Sequence, residues 1–288
     1  MTKSKLVLLI SVVIMLCLGL LACSPYEEGT ASKTNVEYKI EVSSIGGMPI
    51  REIGVYVYTD GTCSDLVWKA DTDENGSVSF TALSSDEYVA VLENVPEGYK
   101  KNQNYQLTSD NTVISLETEL LEAGDMTEYH YELGSIVRDF SITSVDGNVY
   151  NVSELLKDKK AVVLNFWFLN CGPCKIEFPY LEMAYEEYSD ELEVIALNPV
   201  DGTNSSIKEF ADELGLKFPM SKCEPQWEAC MRLTAYPTTV VIDRYGMISM
   251  IHKGSITDKE SFVKIFDFYT SDDYIQTTLR NISDISDN

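Results

Sequence analysis

The strongest constraint on the fold is a largely apolar run, Ala161 to Phe168, that leads almost directly into a Cys-Gly-Pro-Cys motif at residues 171–174. Such a run indicates a strand that is buried on both faces. After the motif, apolar side chains recur at helical spacing from about Pro173 to Tyr188. Proline suits the first turn of a helix, because its missing N–H group would have no partner there. The sequence therefore predicts a buried strand, a helix, and two cysteines where that helix begins.

This placement suits disulfide exchange, which needs one attacking thiolate and a second thiol that resolves the mixed disulfide. The start of a helix favours negative charge on the first cysteine. We therefore predict Cys171 as the nucleophile and Cys174 as the resolving thiol. Zinc would need two more ligands, and Cys223 and Cys230 have the wrong spacing for them. Haem attachment would need a histidine where Lys175 stands, so no metal and no other cofactor is predicted.

The pattern of strands and helices continues to about Thr270, which predicts one α/β layered domain over residues 135–270. The elements predicted after the first helix are a strand at Glu193–Leu197, a helix at Ser206–Leu214 that ends at Gly215, a hairpin of Thr238–Asp243 and Met247–Ile251, and a last helix opened by a capping box at Thr257–Glu260.

Residues 36–121 have a different pattern, with short alternating apolar runs between turn residues. We predict a small all-β sandwich for this segment. Residues 122–134 are acidic and polar and are predicted to link the domains, and residues 271–288 are predicted to be a frayed acidic tail. The predicted strands contain Tyr38, Ile40 and Val42, then Val55 and Val57, then Val78 and Phe80, then Val89 and Val91, and finally Val113, Ile114 and Leu116.

The chain begins with Lys3 and Lys5, and an uncharged apolar run follows from Leu6 to Leu21. This arrangement is typical of a secretory signal, which we predict over residues 1–22. An uncleaved signal anchor is the alternative, although the run is short for a bilayer core. Residues 23–35 are polar and predict a flexible tether. Both interpretations place the rest of the chain outside the cytoplasm.

Composition and charge exclude some partners. The chain is 44% hydrophobic and 24% charged, which is globular, and its net charge is −24, from 46 acidic and 22 basic side chains. Nucleic acid is excluded as a partner, since binding it requires clustered Lys and Arg.

The predicted location outside the cytoplasm indicates the oxidation state of the remaining cysteines. Disulfides persist outside the cell, so Cys223 and Cys230 most simply form a structural disulfide. A second, regulatory redox pair is the alternative. Cys63 is predicted to be a lone thiol.

Two stretches together resemble the extracytoplasmic thioredoxin-like proteins of the TlpA/ResA type: NFWFLNCGPCKIEFP at Asn165–Pro179 and AYPTT at Ala235–Thr239. The resemblance implies a thioredoxin-like fold with Pro237 as a cis-proline facing the active site. It implies that Tyr236 offers main-chain groups to a substrate and that Trp167 contributes to substrate binding. Glu177 takes the place of a carboxylate that tunes proton transfer, and its alternative is a solvated helix residue.

The chain departs from this family in two places. Asn170 precedes the nucleophile where many relatives have Trp, which changes the apolar rim around the site. Asn165 stands where cytosolic thioredoxins have a buried Asp, so proton transfer would fall to Glu177 or to water. Peroxiredoxins share the wider fold, but the Pro and Thr of their cysteine pattern are missing before Cys171.

Two further resemblances concern the N-terminal half. Leu20-Leu21-Ala22-Cys23 resembles a bacterial lipobox, which implies that Cys23 carries a lipid after cleavage. Residues 72–80, 88–89 and 95–99 resemble the SpaA-like, prealbumin-like modules of bacterial surface proteins, which implies a spacer or docking role.

These features predict a lipid-anchored, extracytoplasmic thiol–disulfide oxidoreductase. Its predicted partners are disulfide-containing exported proteins and a membrane thiol reductant. The Gly-Pro dipeptide matches reducing thioredoxins, whose potential is about −270 mV, and favours a reductase. The alternative is a surface-binding adaptor with a redox-sensing or inert thioredoxin-like domain.

Overall fold

The computed structural model describes residues 34–274, apart from residues 60, 85–86, 109–110 and 123–124. The predicted signal segment 1–22, Cys23, most of the predicted tether and the tail beyond Tyr274 lie outside these residues. Within the described part of the chain, no helix is both long enough and apolar enough to cross a membrane.

The N-terminal part consists of strands and turns. Its strands are β1 (Asn35–Ser43), β2 (Gly54–Tyr58), β3 (Leu66–Asp71), β4 (Ser77–Leu83), β5 (Tyr88–Glu93), β6 (Asn104–Leu107) and β7 (Asn111–Ser115). They form two sheets, ordered β4-β1-β7 and β3-β2-β5-β6. Strands β1 and β7 are parallel, and the other neighbours are antiparallel.

The two sheets enclose one hydrophobic core. Ile40 of β1 and Val55 and Val57 of β2 are fully buried in it. Trp68 of β3 stacks on Phe80 of β4 with 5.1 Å between ring centroids, which joins the sheets. These strands agree with the predicted all-β architecture.

Two strands were not predicted, because they lie at a sheet edge and carry no clear alternation. Strand β3 is almost entirely exposed, and β6 is mostly polar. The phase of β5 also differs from the prediction. Its core-facing residues are Tyr88, Ala90 and Leu92, whereas the prediction used Val89 and Val91.

The C-terminal part mixes strands and helices. Its elements are β8 (Ser141–Thr143), β9 (Val149–Asn151), α1 (Val152–Asp158), β10 (Ala161–Phe166), α2 (Gly172–Tyr188), β11 (Leu192–Asn198), α3 (Asn204–Leu214), β12 (Met220–Lys222), α4 (Gln226–Cys230), β13 (Thr238–Asp243), β14 (Ile248–Lys253) and α5 (Lys259–Thr270).

One central sheet, ordered β12-β11-β10-β13-β14, carries this domain. Strands β10, β11 and β12 are parallel, whereas β13 and β14 are antiparallel to their neighbours. Every residue of β10 is buried, as its apolar run predicts. Helices α2, α3 and α5 pack on one face and α1 and α4 on the other, which gives the three layers of an α/β domain.

The last helix is confirmed, but its predicted capping box is wrong. The N-cap is Asp258, whose Oδ1 accepts a hydrogen bond from the Ser261 N–H at 2.8 Å. An aspartate caps as well as a threonine does, so the helix begins one residue later. The short elements β8, β9, α1, β12 and α4 were not predicted, because each has too few residues for a periodic pattern.

The segment predicted as a linker packs against the C-terminal domain. It contains a 3₁₀ turn at Asp125–Thr127 and buries Met126 and Tyr131. The Tyr131 N–H donates to the Cys230 carbonyl at 2.8 Å. Arg138 lies 3.0 Å from Glu119, which adds an ion pair between the two parts of the chain.

The N-terminal part also contacts the turn between β13 and β14. Met48 belongs to the same core cluster as Tyr245, and a Cβ atom on Gly46 would lie 1.8 Å from the Arg244 carbonyl oxygen. Only glycine therefore allows this close backbone approach. Asp243, beside this turn, pairs with Ala161, the first residue of β10, so the contact lies at the end of the sheet opposite Cys171.

Candidate active site

The two motif cysteines lie at the N-terminus of α2, as predicted. Cys171 is the N-cap residue, and the Cys174 N–H donates to Cys171 Sγ at 3.2 Å. The two residues form a disulfide with their Cα atoms 5.3 Å apart. Both side chains are buried, and the first turn of α2 contains no acidic residue. On reduction, the helix end would therefore stabilise a thiolate at Cys171.

A second backbone feature faces this pair. The Tyr236–Pro237 peptide bond is cis, as the family resemblance implies. Thr238, the next residue, pairs with Phe166 at the end of β10. This register brings the cis bond beside the segment that leads into Cys171.

An aromatic pair lies beside the cis bond. The rings of Phe168 and Tyr236 meet edge to face, with 5.3 Å between centroids. The Tyr236 hydroxyl donates to Glu228 Oε1 at 2.7 Å, which fixes the ring. Phe168 was not predicted as a site residue, because in the sequence it is the last residue of an apolar run that predicts a buried strand.

The predicted role of Trp167 in substrate binding is wrong. Its side chain is 0% exposed, stacks on Phe210 and meets Phe178 edge to face. Trp167 follows Val163 at an even spacing in an extended chain, so it points to the face that α2 covers. The neighbouring Phe168 is only partly buried and contacts Tyr236 beside the cis bond.

Glu177 is buried beneath the cysteine pair, so its alternative as a solvated residue is wrong. It lies one turn after Cys174 on the same face of α2. Its Oε1 accepts from Asn165 Nδ2 at 2.7 Å, and its Oε2 accepts from the Ile256 N–H at 2.6 Å. Burial raises the pKa of Glu177 to about 7, although both hydrogen bonds act in the opposite direction. The carboxyl group can therefore accept or release a proton near neutral pH.

Asn165 supports both protonation states of Glu177. Its Nδ2 donates to Glu177 and, at 3.1 Å, to Thr239 Oγ1. Its buried Oδ1 has no hydrogen-bond partner among the described residues. Turning the amide would present Oδ1 to a protonated Glu177, while the Thr239 hydroxyl could donate in place of accepting.

The predicted Cys223–Cys230 disulfide is wrong, because both thiols are free. The Cys223 N–H is bound to the Asn198 carbonyl at the end of β11, whereas the Cys230 carbonyl accepts from the Tyr131 N–H. Each cysteine is thus held by a different neighbour. Burial raises the pKa of Cys230 to about 12 and that of Cys223 beyond its ordinary range, so neither is an effective nucleophile. Cys63 is also free and half-buried.

Residues that could hold a metal ion do not cluster within residues 34–274 as described. No group of three or more His, Cys, Asp or Glu side chains there has the arrangement of a metal site. His130 instead lies with its Nδ1 3.2 Å from the Ala229 carbonyl oxygen.

Sequence comparisons with known proteins point to the same chemistry. Residues 133–251 match the AhpC/TSA family. Over 134 residues the chain is 35% identical to the thioredoxin-like protein YneN of Bacillus subtilis, covering 46% of this chain and 78% of YneN. Over 131 residues it is 33% identical to the thiol-disulfide oxidoreductase ResA of Oceanobacillus iheyensis, covering 44% of this chain and 68% of ResA. Among solved structures, a putative protein disulfide isomerase from Bacteroides thetaiotaomicron is similar with a TM-score of 0.46 and 23% identity, over 52% of this chain and 96% of that one.

Proposed function

The chain belongs to the thioredoxin-like thiol–disulfide oxidoreductases of the ResA and YneN type, and from this we propose that it reduces disulfides of exported proteins at the outer face of the cell membrane. The observation that carries the proposal is the buried Cys171–Cys174 disulfide at a helix start, with Glu177 titrating near neutral pH beneath it.

In the proposed reaction, the Cys171 thiolate attacks one sulfur of a substrate disulfide. The Cys171–substrate bond forms, and the other substrate sulfur leaves as a thiolate that takes up a proton. Cys174 then loses its proton and attacks Cys171 Sγ, which releases the second substrate thiol. The substrate gains two electrons, and the protein is left with the disulfide seen in the structure.

Glu177 has the position and the protonation range to assist this second step. It lies one turn from Cys174, with its pKa raised to about 7, so it can accept the Cys174 proton directly or through water. The substrate would lie along Tyr236, whose main chain borders the cis bond, and against the exposed part of the Phe168–Tyr236 pair. A membrane thiol reductant would return the two electrons.

The reductive direction can be tested by the redox equilibrium of the whole chain with glutathione. We expect a potential of the Cys171–Cys174 pair near that of reducing thioredoxins, about −270 mV, and catalysis of insulin reduction with dithiothreitol as donor. A potential above about −200 mV would instead assign the protein to oxidation or isomerisation of disulfides.

The proposed location rests on the N-terminal sequence, with its basic start, apolar run and lipobox-like residues before Cys23. Signal removal at Ala22 would leave Cys23 as a lipid-bearing N-terminus, and the SpaA-like segment would stand between the membrane and the redox domain. Mass spectrometry of the mature protein from a bacterial host should find a diacylglyceryl group on Cys23. A Cys23 without lipid in a chain that keeps residues 1–22 would indicate an uncleaved anchor.

A further inference from the structure

A carboxylate outside the motif residues contacts the turn that carries the nucleophile. Asp201 lies between β11 and α3, and its Oδ1 accepts from the Leu169 N–H at 2.7 Å. Its Oδ2 accepts from Asn170 Nδ2 at 3.2 Å. Asp201 therefore binds both residues that immediately precede Cys171.

These contacts fix a turn whose last residue is the nucleophile. The Cys171 N–H donates to the Phe168 carbonyl at 3.0 Å, so residues 168–171 form a closed turn. Leu169 and Asn170 are its two central residues, and both are bound to the one Asp201 carboxylate. A shift of Asp201 would therefore move the turn that presents Cys171.

Asp201 is itself held firmly. Asn198 Nδ2 donates to Asp201 Oδ1 at 3.1 Å, and Asn198 Oδ1 accepts from the N–H groups of Val200 and Asp201, both at 3.0 Å. Gly202 adopts a φ of +80°, and a Cβ atom there would lie 2.4 Å from Leu169 Cδ1. The two loops are thus closely packed as well as hydrogen-bonded.

The Asp201 carboxylate keeps its charge. Burial raises its pKa, but the hydrogen bonds from Leu169, Asn198 and Asn170 outweigh this effect, and the pKa lies below its ordinary value. These donors are uncharged, so they orient the negative charge without neutralising it. Nearby basic groups are engaged elsewhere, since Lys222 Nζ donates to the Asn198 carbonyl at 3.1 Å and Lys175 Nζ lies 5.6 Å from the centre of the Phe210 ring.

We propose that Asp201 is a positioning residue for disulfide exchange, which fixes the turn that presents Cys171 and holds a negative charge on that turn. The charge opposes the helix end, which favours the thiolate, so that Cys171 is kept from becoming as acidic as the helix alone would make it. Asn170 contributes to the same arrangement, because its amide donates to Asp201 Oδ2. The inference rests on the proposed exchange at Cys171.

The test is the pKa of Cys171 in the reduced full-length protein, measured from the rate of alkylation against pH. Asp201→Asn keeps the size of the side chain and an oxygen for the Leu169 N–H, but removes the charge. Its new NH2 group faces the exposed Asn170 amide, which can turn to accept from it through Oδ1. We expect the pKa of Cys171 to fall by about 0.5 to 1 unit, as for loss of one charge several ångströms away. At a pH above the Cys171 pKa of both the wild type and the variant, the variant's equilibrium with glutathione should shift toward the reduced cysteine pair. The factor should be the same, about three to ten. The other charges facing the site, those of Lys175, Glu177 and Glu228, are unchanged in this comparison.

Asp272→Asn is the matched control. It removes the same charge from a side chain that is 90% exposed, beside Lys160 and so next to the far end of β10. We expect the wild-type pKa of Cys171 in this control. An Asp201→Asn protein that is folded and has the wild-type pKa and equilibrium would overturn the proposal.

Asp201→Glu separates charge from geometry and gives a second measurement if the Asn variant does not fold. It keeps the charge but lengthens the side chain, so the pKa should stay close to wild type while the rate of exchange with glutathione falls severalfold. A Glu variant with a wild-type rate would overturn the positioning role. All these readouts concern the cysteine pair and glutathione alone, so failure to act on exported proteins would contradict the proposed function and leave this inference standing.

Discussion

Replacing Cys174 by serine should abolish turnover and leave Cys171 joined to its substrate as a stable mixed disulfide. Cys174 follows Cys171 by three residues, and their Cα atoms lie 5.3 Å apart, so its attack is intramolecular. Well-oriented intramolecular groups reach effective concentrations of about 10⁵ M or more, which millimolar external thiols cannot match. We therefore expect insulin reduction to fall by at least about a hundredfold.

The trapped intermediate distinguishes this reaction from simple loss of folding. Mass spectrometry should find the substrate peptide on Cys171, and the adduct should disappear in Cys171→Ser. Cys63→Ser is the matched control, because it removes a free thiol from the turn between β2 and β3 and should leave activity unchanged. Turnover that survives Cys174→Ser would contradict the assignment of Cys174 as the resolving thiol, whereas a wild-type protein without turnover would favour the adaptor interpretation.

Replacing Glu177 by glutamine should remove a pH-dependent loss of stability. Burial raises the pKa of Glu177 from 4.5 to about 7 in the folded chain, so the native state binds this proton more tightly than the unfolded state does. The resulting stabilisation is fully present below about pH 4.5 and is lost as the pH rises through 7. Its size is about 3 kcal/mol, the free-energy equivalent of the shift in pKa.

The glutamine variant has no proton to lose at this position. Its stability relative to wild type should therefore rise by about 3 kcal/mol between pH 4 and pH 8 in guanidinium unfolding of the oxidised proteins. Asn165 can turn its amide so that Oδ1 accepts from the new Nε2, and any cost of moving its NH2 group to the unpartnered position is the same at every pH in this range. Glu186→Gln, at an exposed position on α2, should show no such trend. A constant difference between the Glu177 variant and wild type across this range would mean that Glu177 titrates normally.

Structural features that depend only on residues close together in the chain could be predicted from the sequence. The buried β10, the helix α2 and the cysteine pair between them follow from local pattern alone. The cis bond before Pro237 and the carboxylate at Glu177 came from the family resemblance, which encodes contacts that the pattern itself cannot show.

The errors share a different cause, since each depends on how distant segments pack. Whether Trp167 faces a substrate or the core is decided by Phe178 and Phe210, which lie on other elements. Whether Cys223 meets Cys230 depends on their separate backbone partners. Asp201 was missed because no motif surrounds it and its partner Leu169 is 32 residues away.

The contact between Gly46 and Arg244 limits the distance between the start of β1 and the Cys171–Cys174 disulfide. Strand β1 runs nine residues from Asn35 to this contact, about 30 Å, and β10 spans six residues from the contact toward Cys171, about 20 Å. The end of β10 that leads into Cys171 therefore lies at most about 50 Å from the start of β1. In a chain attached through the residues before Asn35, this distance and the length of the attached segment together set which thiols the disulfide can meet.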